Sequence, residues 1–456
     1  MVTSVRLLIQ RGHRALWRDQ LFRRLLQNSG WLLSANVVTM GIALVQSVLL
    51  ARVLGVEDYG AYTLITTYTF AVSQFADSRV WETVIKYVTH FNEQGSPERA
   101  TATVKLSYLI DAITGLVAFG ALWFTGDWAA SIFAKNPGLA PLFHIFSISA
   151  LLGIPVGTST ALMRIAGHFK FLAVETAASN IIRLGLIGVV IVAGWGLPGV
   201  IVASVLVAAI RTIWLLWLGV RAARDLHLAP WGQAPLQLLR GEFRRVIRFT
   251  FYTNLGGTSR LVTTRMDTLL LGWLATPSDV GLYRLARTLA DPLVVALGPI
   301  YQTVYPEISR LVTHGQHRQV ISLQKKLSLS ILAIIVPICA LMVFAAPYFV
   351  PLLLGDEYRA AILPTQIMTF QIVWTVLIWF PAWMLSLELS RTLTILNWID
   401  ACIYIALLML LIPPFGALGA AGATVIRYVV WTAMALGVFA NIRGSVIRLE
   451  NAYESS

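Results

Sequence analysis

Long apolar runs, separated by short basic or polar stretches, make up most of the chain. An α-helix rises about 1.5 Å per residue and the hydrocarbon core of a membrane is about 30 Å thick, so about 20 apolar residues are enough to cross it. The first run of that length is Trp31–Ala51. The pattern predicts about twelve membrane spans, at residues 31–51, 62–80, 106–124, 139–163, 170–193, 198–220, 247–273, 280–303, 327–354, 360–387, 392–412 and 417–440.

The composition of the chain agrees with lipid as its main solvent. Apolar residues make up 57% and charged residues 12% of the 456 positions, whereas a soluble globular protein carries about 25% charged residues. So few charges cannot cover the surface of a soluble protein of this size. We therefore predict an all-α integral membrane protein.

The basic residues, which give a net charge of +13, lie mostly in the segments between the apolar runs. We expect them to contact anionic lipid headgroups there, and we do not expect them to bind nucleic acid. The segments on one side, with both termini, hold 25 Lys and Arg, whereas the opposite segments hold only Arg52, Lys135 and Arg359. The positive-inside rule therefore predicts a multi-pass protein of the cytoplasmic (inner) membrane with both termini cytoplasmic.

We do not expect this chain to be an enzyme. The segments on the side opposite to the termini are all short, so they offer no domain for a catalytic site. Both cysteines, Cys339 and Cys402, lie in apolar runs, and the seven histidines include no HExxH sequence. We therefore expect no catalytic residues, no metal site and no cofactor.

An internal repeat divides the chain into two halves. The sequence LGVEDYGAY at 54–62 matches ATPSDVGLY at 275–283 with an offset of 221 residues, and a Gly-x-x-Gly sequence at 196–199 matches another at 416–419 with an offset of 220. Each half holds an even number of predicted spans, so both halves enter the membrane in the same direction. We expect two six-helix bundles related by a pseudo-two-fold axis along the membrane normal.

These features predict five regions along the chain. They are a basic amphipathic cytoplasmic segment at 1–29, a first six-helix bundle at 30–220, a cytoplasmic linker at 221–246, a second six-helix bundle at 247–440 and a cytoplasmic tail at 441–456. The first segment fits either a helix lying on an anionic membrane surface or a basic tail without fixed structure.

Arginines inside the predicted spans are the strongest chemical signal. An ionised side chain costs at least about 2.5 kcal/mol in hydrocarbon, so it faces a cavity or an ionic partner. Arg284, Arg287 and Asp291 share one helical face, and Arg260 and Asp267 share a face of the preceding span. Guanidinium groups bind phosphate in a bidentate manner. The seven arginines are Arg183, Arg211, Arg260, Arg265, Arg284, Arg287 and Arg427.

We predict a cationic cavity that binds an anionic substrate. Its predicted binding residues are Arg260, Arg284, Arg287, Arg183, Arg427, Asn36 and Gln46. Asp267 and Asp291 are the acids predicted to couple a cation. An alternative stays open, because Asp291 follows Arg287 by four residues and Asp267 follows Arg260 by seven, and such pairs can serve only to hold helices together.

The sequence also resembles a known family. LLARVLGVEDYGAYTL at 49–64 follows the first span, TPSDVGLYRLA at 276–286 repeats it, and each half has its Gly-x-x-Gly sequence. These motifs resemble those of the lipid-linked oligosaccharide flippases, the O-antigen and polysaccharide translocases of the MOP (multidrug/oligosaccharidyl-lipid/polysaccharide) superfamily. The resemblance implies two six-helix bundles around a cavity that opens alternately to each side, with cationic residues that map onto Arg260, Arg284 and Arg287.

The function implied is translocation of a polyprenyl-diphosphate-linked oligosaccharide across the cytoplasmic membrane, for surface polysaccharide biosynthesis. The expected partners are this substrate and membrane lipids, with a coupling cation and polysaccharide-assembly proteins as further candidates. Two alternatives stay open. A multidrug or organic cation exporter of the same superfamily would need carboxylates in its cavity, and a membrane glycosyltransferase or polymerase would need long loops that face its substrate.

Overall fold

A computed structural model gives the arrangement of the chain and describes residues 20–76, 80–242, 264–295, 298–377 and 379–454. Within these ranges the regular elements are α-helices and short 3₁₀-helices, and no strand is found. The prediction of an all-α fold is therefore confirmed. Most of the predicted basic segment at 1–29 lies outside the described residues.

The α-helices of the described residues are long and follow one another closely. In the first half they are α1 (Gln20–Ala76), α2 (Val80–Glu93), α3 (Pro97–Ile132), α4 (Ala140–Gly153), α5 (Val156–Ile165), α6 (Phe169–Ala193) and α7 (Gly196–Asp225). In the second half they are α8 (residues 264–274), α9 (Pro277–Val295), α10 (Gly298–Thr313), α11 (His317–Leu354), α12 (Ile362–Thr369), α13 (Phe380–Ser386) and α14 (Ser390–Glu454). Short 3₁₀-helices lie at Pro137–Leu139, Trp231–Gln233, Leu236–Leu239, Asp356–Ala361 and Phe370–Leu377.

Seven helical segments of the described chain are long and apolar enough to cross a membrane. They are Thr39–Ala76, Pro97–Ile132, Pro137–Ile165, Phe169–Ala193, Gly196–Asp225, His317–Leu354 and Ser390–Ile442. The first and the last are each interrupted by a kink, at Gly55 and Gly416, between two predicted spans. The predicted span 247–273 lies mostly outside the described residues. The chain is a multi-pass membrane protein, and the count of twelve spans stays a prediction.

The helices extend beyond the predicted spans. The segment 81–105, which the apolar pattern leaves between two predicted spans, is helical except around residues 94–96. The reason is an apolar face on α2, where Val84, Val88 and Phe91 are completely buried in the core of the first half. Likewise α14 continues to Glu454, because a helix satisfies its own backbone hydrogen bonds whether lipid or water surrounds it.

One predicted span is broken instead of extended. Residues 360–387 form α12, a 3₁₀-helix at Phe370–Leu377 and α13. Pro381 lies in the first turn of α13, where its missing N–H group costs no hydrogen bond. Inside a continuous helix the same ring would clash with the preceding turn, so the proline favours a new helix at this point.

The breaks in α1 and α14 occur at glycines of the repeated motifs. Gly55 has a φ of 74° and Gly416 a φ of 52°, a region that residues with a side chain rarely adopt. Gly196, which matches Gly416 in the first half, also has a positive φ of 54°. The repeat in sequence is therefore also a repeat in backbone conformation at this position.

The start of α9 is fixed by a capping box. The hydroxyl of Thr276 accepts a hydrogen bond from the backbone N–H of Asp279 at 3.2 Å, and Oδ2 of Asp279 accepts one from the backbone N–H of Thr276 at 3.2 Å. Oδ1 of Asp279 also accepts a hydrogen bond from the backbone N–H of Ala417 at 3.0 Å, directly after Gly416. The aspartate of the second repeat therefore ties α9 to the middle of α14.

The described residues group into two compact units. Unit 1 comprises the described parts of Met1–Gln46, Phe75–Trp123 and Ile145–Leu255. Unit 2 comprises the described parts of Ser47–Gln74, Phe124–His144 and Gly256–Ser456. Unit 2 therefore includes two segments from the first half of the chain, and the predicted bounds of the two six-helix bundles stay a prediction.

Candidate functional site

A cavity of about 360 Å³ lies among three helical segments of unit 1. Each segment contributes residues at the spacing i, i+3, i+4 and i+7, which places them on one face. The α4–α5 segment contributes Ser149, Leu152, Gly153 and Val156; α6 contributes Thr176, Ser179, Asn180 and Arg183; and α7 contributes Ser204, Val207, Ala208 and Arg211, with Phe146 and Thr212 completing the wall.

The wall of this cavity is polar and cationic. The fourteen described residues that line it include two arginines, Arg183 and Arg211, several hydroxyl groups and one amide, but no Asp, Glu or Lys. Arg183 was predicted as a site residue, and it is half-buried in the wall. Hydroxyl, amide and guanidinium groups of this kind replace water around a polar or anionic solute.

One buried carboxylate lies behind the wall. Glu175 is only 1% exposed, and its Oε1 atom lies 3.1 Å from Nε of Arg211. The hydroxyl of Ser179 donates a hydrogen bond to the same oxygen at 3.0 Å. Arg211 keeps 44% of its side chain exposed. The guanidinium of Arg211 is therefore held by Glu175 on one side while it remains part of the cavity wall.

Gln46, another predicted site residue, contacts α6. Nε2 of Gln46 donates a hydrogen bond to the backbone carbonyl of Asn180 at 2.7 Å, and Gln46 is buried. The structure therefore brings Gln46 and Arg183 to one part of unit 1. The side chain of Asn36, the other predicted amide, lies outside the described residues.

Arg287, one of the two predicted arginines of α9, forms ion pairs in unit 2. Arg287 contacts Asp267 through Nη1, and its Nε lies 3.1 Å from Oδ2 of Asp291. Nε2 of Gln371 donates a hydrogen bond to the other oxygen of Asp291 at 3.3 Å. Both acids predicted to couple a cation therefore contact the same guanidinium.

Asp267 is the most enclosed of these acids, with 1% exposure. Its Oδ2 atom accepts hydrogen bonds from the hydroxyls of Tyr283 at 2.7 Å and Tyr404 at 3.2 Å. Its Oδ1 atom accepts one from the backbone N–H of Thr268 at 2.7 Å. Together with the contact to Arg287, these hydrogen bonds give both oxygens of the buried carboxylate their partners.

The other predicted arginines of unit 2 differ in their surroundings. Arg427 lies 2.7 Å from Oδ2 of Asp400 and stands over the ring of Tyr404 at 4.7 Å. Arg265 on α8 stands over the ring of Phe70 at 4.8 Å, and Arg284 lies three residues before Arg287 on α9. Arg265 and Arg284 therefore add two positive charges to the two helices that carry Arg287 and its two carboxylates. Arg260 lies outside the described residues.

The hydroxyl and amide residues of the unit 1 cavity were missed by the sequence analysis, which concentrated on arginines. A signal was present, because Thr176, Ser179, Asn180 and Arg183 follow helical spacing within one span. No group of three or more His, Cys, Asp or Glu side chains that could hold a metal ion is found in the described part of the chain.

A family model described as polysaccharide biosynthesis protein matches residues 25–312, which is more than half of the chain. The chain belongs to this family. The matched region includes the helices that line the cavity of unit 1 and the repeated motif at 275–283.

Two proteins of Escherichia coli (strain K12) are similar to this chain. The inner membrane protein YghQ is 23% identical over 352 residues, which cover 75% of this chain and 96% of YghQ. The lipopolysaccharide biosynthesis protein WzxC is 24% identical over 356 residues, which cover 76% of this chain and 67% of WzxC.

Solved structures of a transporter and of a flippase share the fold of this chain. A multidrug resistance MATE family transporter in an inward-facing conformation matches 90% of this chain and 95% of its own, with a TM-score of 0.74 and 12% identity. The lipid II flippase MurJ in an inward closed conformation matches 92% of both chains, with a TM-score of 0.68 and 14% identity. The family model confirms the predicted resemblance to proteins of polysaccharide biosynthesis, and the fold is shared with a transporter of the MOP superfamily.

Proposed function

We propose that this chain is a flippase that carries a polyprenyl-diphosphate-linked oligosaccharide across the cytoplasmic membrane by alternating access, for surface polysaccharide biosynthesis. The observation that carries the proposal is the cavity of unit 1, where Arg183 and Arg211 stand among hydroxyl and amide groups inside apolar helices. Membership of the polysaccharide biosynthesis protein family supports the substrate class.

The chemistry of the cavity suits the part of such a lipid that hydrocarbon excludes. A diphosphate needs fixed positive charge, which the two guanidinium groups supply, and sugar hydroxyls need donors and acceptors, which Ser149, Ser204 and Asn180 offer. A volume of about 360 Å³ is at the lower end of the range for ligand pockets. It therefore suits the diphosphate with its first sugars, while the polyprenyl tail stays in lipid.

Glu175 keeps this binding weak enough for release. A transporter must let its substrate go on the far side, so the cavity cannot hold a diphosphate at full strength. The carboxylate of Glu175 already neutralises part of the positive charge of Arg211. A diphosphate therefore competes with a partner that is always present.

In the proposed flippase both termini lie on the cytoplasmic side of the inner membrane, and twelve spans form two six-helix bundles. Arg260, Arg284, Arg287 and Arg427 are proposed to form a second cationic wall. Asp267 and Asp291 stay the candidates for cation coupling, because a proton or metal cation on either acid would weaken its hold on Arg287.

Transfer in proteoliposomes tests the proposal directly. A labelled polyprenyl-diphosphate oligosaccharide in one leaflet should become accessible to a glycan-cleaving enzyme added on the other side, with its mass unchanged beforehand. Arg183→Gln and Arg211→Gln should each lower the transfer rate about tenfold or more, because a hydrogen bond to a charged group contributes about 1.5–3 kcal/mol. Arg310→Gln is the matched control, since Arg310 is exposed and pairs only with Glu307 among the described residues.

Two outcomes would contradict the proposal. Unchanged transfer by the Arg183→Gln, Arg211→Gln double variant, at equal protein level and melting temperature, would exclude the cavity as the diphosphate site. A change in the mass of the substrate would instead indicate an enzyme, that is, a glycosyltransferase or polymerase.

A second candidate is a multidrug or organic cation exporter, favoured by the fold shared with a MATE family transporter. Glu175 would then be the carboxylate that receives the cation, because it lies directly behind the cavity wall. Competition separates the two functions. Diphosphate lipids should slow transfer by the flippase, whereas an exporter would be slowed by organic cations and would need Glu175 for that effect.

A further inference from the structure

The segment that follows α7, residues 228–234, folds back onto α3. The hydroxyl of Thr101 donates a hydrogen bond to the backbone carbonyl of Ala229 at 3.0 Å. The ammonium of Lys105 donates hydrogen bonds to the carbonyls of Trp231 and Ala234, the latter at 2.8 Å. Ala234 is completely buried. Two residues of α3 therefore hold this segment in place.

Between this segment, α3 and α7 lies a second cavity, of about 370 Å³. Trp231 and Tyr108 line it with their rings, whose centroids are 6.1 Å apart. Arg224 is the one charged residue among the described residues that line it.

Positive charge dominates the surroundings of this cavity. The ammonium of Lys105 stands 5.6 Å from the centre of the Trp231 ring. Asp225, which follows Arg224 in sequence, lies 3.3 Å from Nε2 of His168 and does not line the cavity. A negatively charged group that enters the cavity therefore meets Arg224 without a carboxylate in the wall.

An exposed apolar stripe of α7 leads to the same cavity. The apolar residues Ile213, Leu216, Trp217 and Val220 of α7 are all exposed and recur at i, i+3, i+4 and i+7. Val220 also lines the cavity, and Arg224 follows it by one helical turn. An apolar stripe that ends at an arginine and a tryptophan matches the change from acyl chain to headgroup in a lipid monolayer.

We infer that this second cavity binds the headgroup of an anionic phospholipid, with the phosphate on Arg224 and an acyl chain along the exposed stripe of α7. Basic pockets at the edges of membrane helices bind such headgroups through charge. The aromatic rings of Trp231 and Tyr108 supply the amphipathic walls of an interfacial site. The bound lipid contacts α3, α7 and the segment after α7 at once, so it stabilises their arrangement.

Native mass spectrometry of the purified full chain tests this site. With phosphatidylglycerol as the probe, the wild type should bind one lipid more tightly than the rest, and phosphatidylcholine should not compete for that position. Arg224→Gln should weaken the binding about tenfold, because one charge-assisted hydrogen bond to the phosphate is lost. Arg221→Gln is the matched control: it lies one turn earlier, stands over the ring of Phe171 at 5.4 Å and does not line the cavity.

A steric variant removes the site without changing its charge. Val220→Trp places a large ring in the cavity and should also abolish tight binding of phosphatidylglycerol. Equal affinities of Arg224→Gln and Arg221→Gln, or equal binding of phosphatidylcholine, would overturn the inference. Displacement of the lipid by excess inorganic phosphate would likewise overturn it, since the site would then recognise a free anion. None of these results depends on transport, so the proposed flippase function is tested separately.

Discussion

Gly60 and Gly281 occupy the same position in the two copies of the repeat and lie against each other where α1 crosses α9. The backbone nitrogen of Gly281 is 3.1 Å from the position that a Cβ atom on Gly60 would take. A Cβ on Gly60 would also overlap the carbonyl group of Pro277, and one on Gly281 would overlap the carbonyl oxygen of Val56. The two helices therefore touch through their backbones.

Gly60→Ala should destabilise the protein by about 1–3 kcal/mol, the usual cost of an added carbon in a filled space. Gly188→Ala on α6 is the control, because nothing lies within 4 Å of its Cβ position. An alanine there should be neutral or slightly stabilising, since it lowers the freedom of the unfolded chain. Thermal unfolding in detergent measures both. Equal melting temperatures for the two variants would show that the crossing tolerates a side chain.

Glu175→Gln should make the first cavity bind a polyprenyl diphosphate more tightly and release it more slowly. The change removes the charge that holds Arg211, and a unit charge about 4 Å away contributes about 1 kcal/mol even in water. We expect about fivefold tighter binding together with slower transfer in proteoliposomes. Glu307→Gln, at the exposed pair with Arg310, should change neither value. Weaker binding by Glu175→Gln would contradict the role given to this carboxylate.

Asp267→Asn should be among the most damaging single changes in unit 2. It leaves the guanidinium of Arg287 without its most buried partner, and breaking a buried pair costs about 3–5 kcal/mol. Asp291→Asn should cost less, because Asp291 is 40% exposed. Adding Arg287→Gln to Asp267→Asn should restore part of the loss, as measured in a double-mutant cycle of unfolding free energies. Strictly additive losses would mean that the two residues are not coupled.

The sequence predicts helices because helical periodicity depends on residues close together in the chain. It shows the repeat because each copy of the motif is a short continuous sequence. The capping role of Asp279 is also local, since its partner Thr276 is three residues away. The ionic partners are harder to predict. Helical spacing offered Arg260 as a partner of Asp267, and Arg260 lies outside the described residues. The structure shows a second partner, Arg287, twenty residues along the chain. The pair of Asp267 and Arg287 depends on how α8 and α9 pack against each other, and helical periodicity gives no information on that packing.

For the first cavity the sequence offers only an ambiguous signal, for a related reason. Ser and Thr in membrane helices commonly bond to their own backbone, as Thr176 does with the carbonyl of Leu172 at 2.9 Å. A single polar face is therefore ambiguous. It becomes a site when three such faces, on α4, α6 and α7, meet around one space.

Cysteine labelling tests the predicted orientation. Gln233 and Asn136 are both exposed, and they belong to segments predicted to lie on opposite sides of the membrane. In a background in which the exposed Cys402 is replaced by serine, a cysteine at Asn136 should react with an impermeant thiol reagent in intact cells. A cysteine at Gln233 should react only after the membrane is opened. The reverse pattern would invert the topology.

The pairing of intramembrane arginines with carboxylates also determines how the protein responds to an electric field. Arg287 with Asp267, Arg427 with Asp400 and Arg211 with Glu175 are each nearly neutral as a pair. Moving one unpaired charge across the membrane is worth about 2.3 kcal/mol per 100 mV, but a neutral pair that moves as a unit contributes almost nothing. We therefore expect these three pairs to add little to displacement currents of the empty protein, so that such a current reports charged groups outside the pairs and the current during turnover adds the charge of the cargo.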